Sequence, residues 1–203
     1  MRFSLPLAAA ALAAVLLAAL LAGGGKHAVP RSSAPSAFGG ATLPSGLHAP
    51  DFTLTDQDGQ KLSISSERGQ VLMLTFLSTS CGRRCIVLAQ QIRGALDELG
   101  RAVPVLAVST DPAADTPSRI ARFLALVSLA GRMRYLTGAP AELSRIWGEY
   151  GIAAKDVRRV RLDDSTAMVI LIDRYGLERV SFPLEQLTPE ALAGETRALL
   201  AQG

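Results

Sequence analysis

Hydrophobic positions follow two regimes along the chain. The first is one unbroken block, FSLPLAAAALAAVLLAALLAGGG, without a charge from Phe3 to Gly25. The second begins near Pro50, where short apolar runs alternate with helical stripes. DFTLTD and KLSIS each alternate in polarity around the turn signal Asp58-Gly59, which predicts a hairpin. VLMLTFL, Val71 to Leu77, is apolar throughout and of strand length, the signature of a strand buried on both faces. Ile86, Leu88, Ala89, Ile92, Leu96 and Leu99 then fall on one helical stripe, and Gly100 ends it. VPVLAVS is a second buried strand, and Thr116-Pro117 opens a helix as cap and first residue. A helix is expected from Pro140 to Tyr150, a strand over AMVILID, a turn at Arg174-Tyr175-Gly176, a partner strand over LERVSF, and a last helix from Thr188-Pro189 to about Ala201.

The order is hairpin, β, α, β, α, α, β, β, α. Strands alternate with helices early and a hairpin comes late, which predicts an α/β sandwich with a mixed sheet. Residues 26–49, KHAVPRSSAPSAFGGATLPSGLHA, show no apolar period and read as a flexible linker. The expected organisation is a leader over 1–25, a linker over 26–49 and one folded domain over 50–203.

The apolar block also sets the expected compartment. As a helix it would reach roughly 35 Å, enough to cross a bilayer core. It reads as an uncleaved signal anchor or as a signal peptide with an exit at Ala22-Gly23-Gly24. Both readings export everything after Lys26, with the anchor favoured by the length of the run. The expected location is the cell membrane, single-pass, with the domain on the extracytoplasmic (periplasmic) side. No cysteine follows the block, which argues against a lipid-modified terminus. The net charge of +3 is spread without a dense Lys/Arg tract, so no nucleic-acid partner is expected.

The chain's two cysteines both lie in STSCGRRC. Two cysteines do not make a disulfide scaffold, and in an oxidising compartment Cys81 and Cys85 can pair. Cys81 falls just past a buried strand and Cys85 in the first turn of the next helix, a usual place for a site in an α/β sheet. Side chains at i, i+4 on a regular helix stand about 5–6 Å apart at Cβ, whereas a disulfide wants about 3.5–4.5 Å. Cys81 is therefore expected on the loop or cap, as the more exposed sulfur and the attacking thiolate. The helix N-terminus and Arg83 and Arg84 favour a thiolate, although two solvated arginines are the plain alternative. A static staple closing so short a loop would stabilise little.

The ordered motifs PDFTLTDQDG, VLMLTFLSTSCGRRC, VSTDPAADTPSRIARFL, YLTGAPAELSRIWGEYGI and DDSTAMVILIDRYG, from Pro50 to about Phe182, resemble the SCO/SenC family. The resemblance implies a thioredoxin-like fold, a membrane-anchored extracytoplasmic domain, and a role in assembling the copper centre of cytochrome c oxidase. Cys81 and Cys85 meet the family's CxxxC spacing. An ordinary thioredoxin would show CxxC and a Pro before the late strand. A peroxiredoxin would have Pro where Leu74 stands, though Ser78 fits its pattern. Two departures stand out. The family's Pro after the second cysteine is Ile86 here, and the third copper ligand, a His in a D-H-S tripeptide, is Asp164 in Asp163-Asp164-Ser165. The only histidines, His27 and His48, lie in the linker, from which His48 could reach over.

Cu(I) prefers thiolate and imidazole, and carboxylates suit harder ions. The substitution shifts the expectation toward thiol–disulfide oxidoreductase chemistry, with Cys81 attacking, Cys85 resolving and an external thiol reductant closing the cycle. Asp164 would accept a proton from Cys85, or pair with Arg83 or Arg84, or serve only as a turn residue. The alternatives are a copper chaperone with Cys81 and Cys85 as copper ligands, and a non-catalytic relative that only contacts partners. The expected partner is a cytochrome c oxidase subunit or another copper or thiol protein. Asp111 is expected to cap its loop, Trp147 to pack in the core, and Arg158, Arg159 and Arg161 to form a docking or solvated face.

Overall fold

The computed structural model of the chain describes residues 36–152 and 167–202. The strands are β1 (Ala41–Thr42), β2 (Thr53–Asp56), β3 (Lys61–Ser63), β4 (Leu72–Leu77), β5 (Val105–Ser109), β6 (Arg134–Thr137), β7 (Met168–Ile172) and β8 (Glu178–Pro183). The helices are α1 (Arg83–Leu99), α2 (Pro117–Leu126), α3 (Pro140–Glu149) and α4 (Pro189–Ala201). The sheet runs β1-β8-β7-β4-β5-β6-β2-β3. β4, β5 and β6 are parallel, while β7 lies antiparallel to β4 and pairs Leu72 with Ile172 and Thr75 with Val169.

The unbroken apolar run of β4 has a two-sided explanation. Met73 and Leu77 join a core with α1, α2 and α4, whereas Leu72, Leu74 and Phe76 join a second core with β2, β3 and α3. Successive side chains alternate faces, and both faces are covered, so no position tolerates a polar residue without a partner. Thr75 is the exception that proves satisfiable: its hydroxyl donates to the Met168 carbonyl at 2.7 Å. Trp147 packs in the second core and donates from Nε1 to the Ser109 carbonyl at 3.1 Å.

The expected hairpin, the two buried strands and all four helices are present, with the Thr116 and Thr188 caps in place. Two features differ from the sequence reading. β6 had no place in it. Its four residues carry Arg134 and Thr137 around a two-residue apolar centre, too short a run to show a period. It is held from outside itself, by an ion pair from Arg134 to Asp56 and by the Tyr135 amide donating to Gln57 Oε1 at 2.7 Å. Residues 36–49, expected as linker, are the second. β1 pairs with β8, and the Glu178 amide donates to the Leu47 carbonyl at 2.8 Å. Phe38 lies so close to Gly194 of α4 that a Cβ there would fall 2.6 Å from its ring. These contacts come from backbone pairing and one aromatic, neither of which leaves a periodic trace. The leader lies outside the described residues; among those described, no helix is long and apolar enough to cross a membrane.

Candidate functional site: a disulfide at the end of the central strand

Strand β4 ends at Leu77, and the loop Ser78–Cys81 carries the chain to Gly82, the N-cap of α1. Gly82 has φ 73° and ψ −144°, a conformation reserved for glycine, and this bend lets the loop sulfur meet the helix sulfur. Cys81 and Cys85 form a disulfide with their Cα atoms 5.9 Å apart. Cys81 is half-buried, and Cys85, in the first turn of α1, is fully buried in the first core. The asymmetry expected from the i, i+4 spacing is what the fold produces: Cys81 is the more exposed of the two sulfurs.

The loop is built on a residue that sequence reasoning passed over. Asp115, buried between β5 and α2, accepts through Oδ1 from the Thr79 amide at 2.8 Å, the Thr79 hydroxyl at 2.7 Å and the Ser78 hydroxyl at 3.1 Å. Its Oδ2 accepts from Ser109 Oγ at 2.6 Å and from the Tyr135 hydroxyl at 2.7 Å. Burial and the adjacent Asp115 charge push the Tyr135 hydroxyl well above the usual phenol range, so it remains a donor at every physiological pH. Ser80 donates to Asp111 Oδ2 at 3.1 Å, and Asp111 Oδ1 accepts from the Ala114 amide at 3.1 Å, the loop cap expected of it. The only sequence signal for Asp115 was an acid one residue before a Thr-Pro cap, a pattern shared by many exposed residues.

The two arginines of the CxxxC segment part ways. Arg84 reaches Glu185, in the turn after β8, with Nη2 at 2.8 Å from Oε1, and this holds the Glu185 carboxyl below its ordinary range. Arg83 is exposed at the first position of α1. His48, considered as a ligand able to reach over, bridges to Leu177. That is the Leu72–Ile172 end of the β4–β7 pair, so the length of β4 separates it from Cys81. At about 3.3 Å per residue that is some 16 Å of strand alone. His48 is thus no partner of the sulfurs. Asp164, Arg158, Arg159, Arg161 and His27 lie outside the described residues. Among the described residues no cluster of three or more His, Cys, Asp or Glu side chains is arranged to hold a metal ion.

A mixed sheet with helices on both faces, and a cysteine pair where the central strand hands over to a helix, defines a thioredoxin-like protein. Its matches among known proteins agree and go further. The chain belongs to the SCO1/SenC family, whose model matches residues 41–201. It is similar to the copper-bound ScoI of Bradyrhizobium japonicum, at 28% identity and a TM-score of 0.59, over 75% of this chain and 99% of that one. Yeast Sco1 shares the fold at a TM-score of 0.66 and 16% identity, over 79% of this chain and 98% of that one. Peroxiredoxin Bcp of Escherichia coli K12 is 37% identical over 82 residues, 40% of this chain. The chain spans about half the length of that curated relative. The family match begins at Ala41, the first residue of β1, in the segment that the sequence had suggested was linker.

Proposed function

We propose that this chain is a membrane-anchored, extracytoplasmic SCO-type protein that acts by thiol–disulfide exchange at Cys81 and Cys85 in maturing the copper centre of a respiratory oxidase. The observation that carries the reading is the asymmetric disulfide at the carboxyl end of β4, with one sulfur half-exposed on a braced loop and the other buried in the first helical turn. An incoming thiolate attacks Cys81, and Cys85 leaves as a thiolate at the N-terminus of α1, where the helix dipole favours negative charge. In the reverse direction Cys85 resolves a mixed disulfide on Cys81. Asp164 is assigned the proton transfer to and from Cys85. Its support is the resemblance: Asp164 stands in the Asp163-Asp164-Ser165 tripeptide where the family carries the side chain that joins the two cysteines.

A second reading rests on the same pair. Once reduced, Cys81 and Cys85 would present two adjacent thiolates, a donor set that suits Cu(I) as cargo. Family membership and the copper-bound relative support it. The third-ligand position carries Asp164 in place of the family's histidine, and a carboxylate suits Cu(I) poorly, which is why exchange is preferred.

Titration of the reduced full-length chain with Cu(I) separates the two. Exchange predicts weak copper binding and rapid reaction with dithiols. Stoichiometric, tight Cu(I) binding that vanishes in Cys81→Ala and Cys85→Ala would make the chaperone reading the correct one. Asp164→His should then raise Cu(II) affinity. Intact oxidase assembly in cells carrying Cys81→Ser would defeat both readings and leave a partner-contact role.

A further inference from the structure

Beside the disulfide, between the start of α1 and α2, lies a groove of about 510 Å3. One wall is Gly82 and Ile86, and the other is Arg119, Arg122, Phe123 and Leu126. The four α2 residues follow i, i+3, i+4, i+7 and so share one helix face. Leu126 is 66% exposed, a large apolar side chain left in water at the groove's rim. Arg119 and Arg122 have no ion-pair partner among the described residues. α2, PSRIARFLAL, contains no acid, and the first turn of α1 contains none either. The groove therefore has an apolar floor and a positive rim, and it adjoins Gly82, next to the accessible sulfur.

We propose that this groove docks the cysteine-bearing segment of a partner protein, a stretch in which a reactive cysteine is preceded by an apolar side chain flanked by carboxylates. The apolar side chain sits against Ile86, Phe123 and Leu126, and the carboxylates meet Arg119 and Arg122. The partner's thiolate is thereby delivered to Cys81. The proposal rests on the exchange reading above and gives that reaction its specificity. The partner thiolate attacks Cys81 Sγ, a mixed disulfide forms, and the Cys81–Cys85 bond breaks with the electron pair leaving on Cys85. A second partner cysteine then attacks the first, releasing the Cys81 thiolate. In this direction the partner is oxidised from dithiol to disulfide, and two electrons and two protons pass to Cys81 and Cys85. The reduced pair returns them to a partner disulfide through the same mixed disulfide, with Cys81 attacking and Cys85 resolving.

The test uses the oxidised full-length chain and three reduced synthetic dithiol peptides that differ only in the residues before the first cysteine: Glu-Leu-Glu, Gln-Leu-Gln or Lys-Leu-Lys. Rates of mixed-disulfide formation are compared at low salt. The expected order is Glu-Leu-Glu fastest and Lys-Leu-Lys slowest, with roughly tenfold or more between them, and the order inverts in the double variant Arg119→Glu, Arg122→Glu. Leu126→Ser, an exposed change that the fold tolerates, should slow the Glu-Leu-Glu peptide severalfold. Equal rates for the three peptides, an uninverted order in a folded double variant, or an unchanged Leu126→Ser rate would each overturn the groove. Dithiothreitol supplies the other arm. A wild-type disulfide reduced by dithiothreitol but indifferent to peptide charge defeats the groove alone, whereas one that resists dithiothreitol and every peptide defeats exchange chemistry and the groove with it.

Discussion

The Asp115 carboxylate accepts a 2.7 Å hydrogen bond from the Tyr135 hydroxyl directly beneath the loop that carries Cys81. Tyr135 comes from β6, Asp115 precedes α2, and the loop follows β4, so one carboxylate ties three separate chain segments to the site. Asp115→Ala removes the acceptor for Ser78, Thr79, Ser109 and Tyr135 at once. It should cost about 2–4 kcal/mol in denaturant unfolding, and Tyr135→Phe about 1 kcal/mol. The double variant should fall short of the sum, since both changes remove the same bond. Additive losses would mean the two groups do not act on each other.

Reactivity of the sulfurs should follow their exposure. In reduced Cys85→Ser the remaining Cys81 should be alkylated by iodoacetamide on the order of ten times faster than Cys85 in reduced Cys81→Ser. Equal rates would remove the basis for making Cys81 the attacked sulfur.

Gly82 offers a cleaner probe of backbone strain than most positions. A Cβ placed there meets nothing within 4 Å, so Gly82→Ala adds no clash and tests conformation alone. The expected loss is about 1–3 kcal/mol, read as a lower denaturant midpoint with an unchanged slope. A neutral outcome would show that the loop enters α1 by another route.

Glu178 makes a pH signature of its own. Burial pushes its carboxyl up to about 7, from an ordinary value of 4.5. Between those two values the folded chain keeps a proton that the unfolded chain releases. Stability from this group therefore falls as pH rises through that window and levels off above it, by on the order of 3 kcal/mol. Glu178→Gln should flatten that fall and be the more stable protein at pH 8. Asp56 and Asp173, whose carboxyls are held below their ordinary range despite burial, push the other way as pH drops. The measurement is accordingly the difference between variant and wild type across pH 4 to 8 in thermal unfolding, and a pH-independent difference would contradict the assignment.

Elements whose stability is local or symmetric were legible in the sequence. β4 declared itself because both its faces are buried, and α1 because its apolar stripe repeats along the face that meets the core. The placement of Cys81 outside the helix followed from two distances that cannot both hold on a regular helix. β6, β1 and Asp115 were not legible, for one shared reason: each is fixed by partners far away in the chain. Arg134 in β6 depends on Asp56, β1 depends on β8, and Asp115 depends on Thr79 and Tyr135. A hydropathy pattern records which side of an element faces the core, but not which remote donor will find a given carboxylate.

The strand β1 that closes one side of the sheet is two residues long, and β3 on the other side is three. Neither margin offers a row of free amides and carbonyls long enough to template another chain. A second copy has little to zip onto, so crowding many such domains together should not by itself lead to sheet-like aggregates. Recognition is left to side chains around the sulfur, where it can be selective.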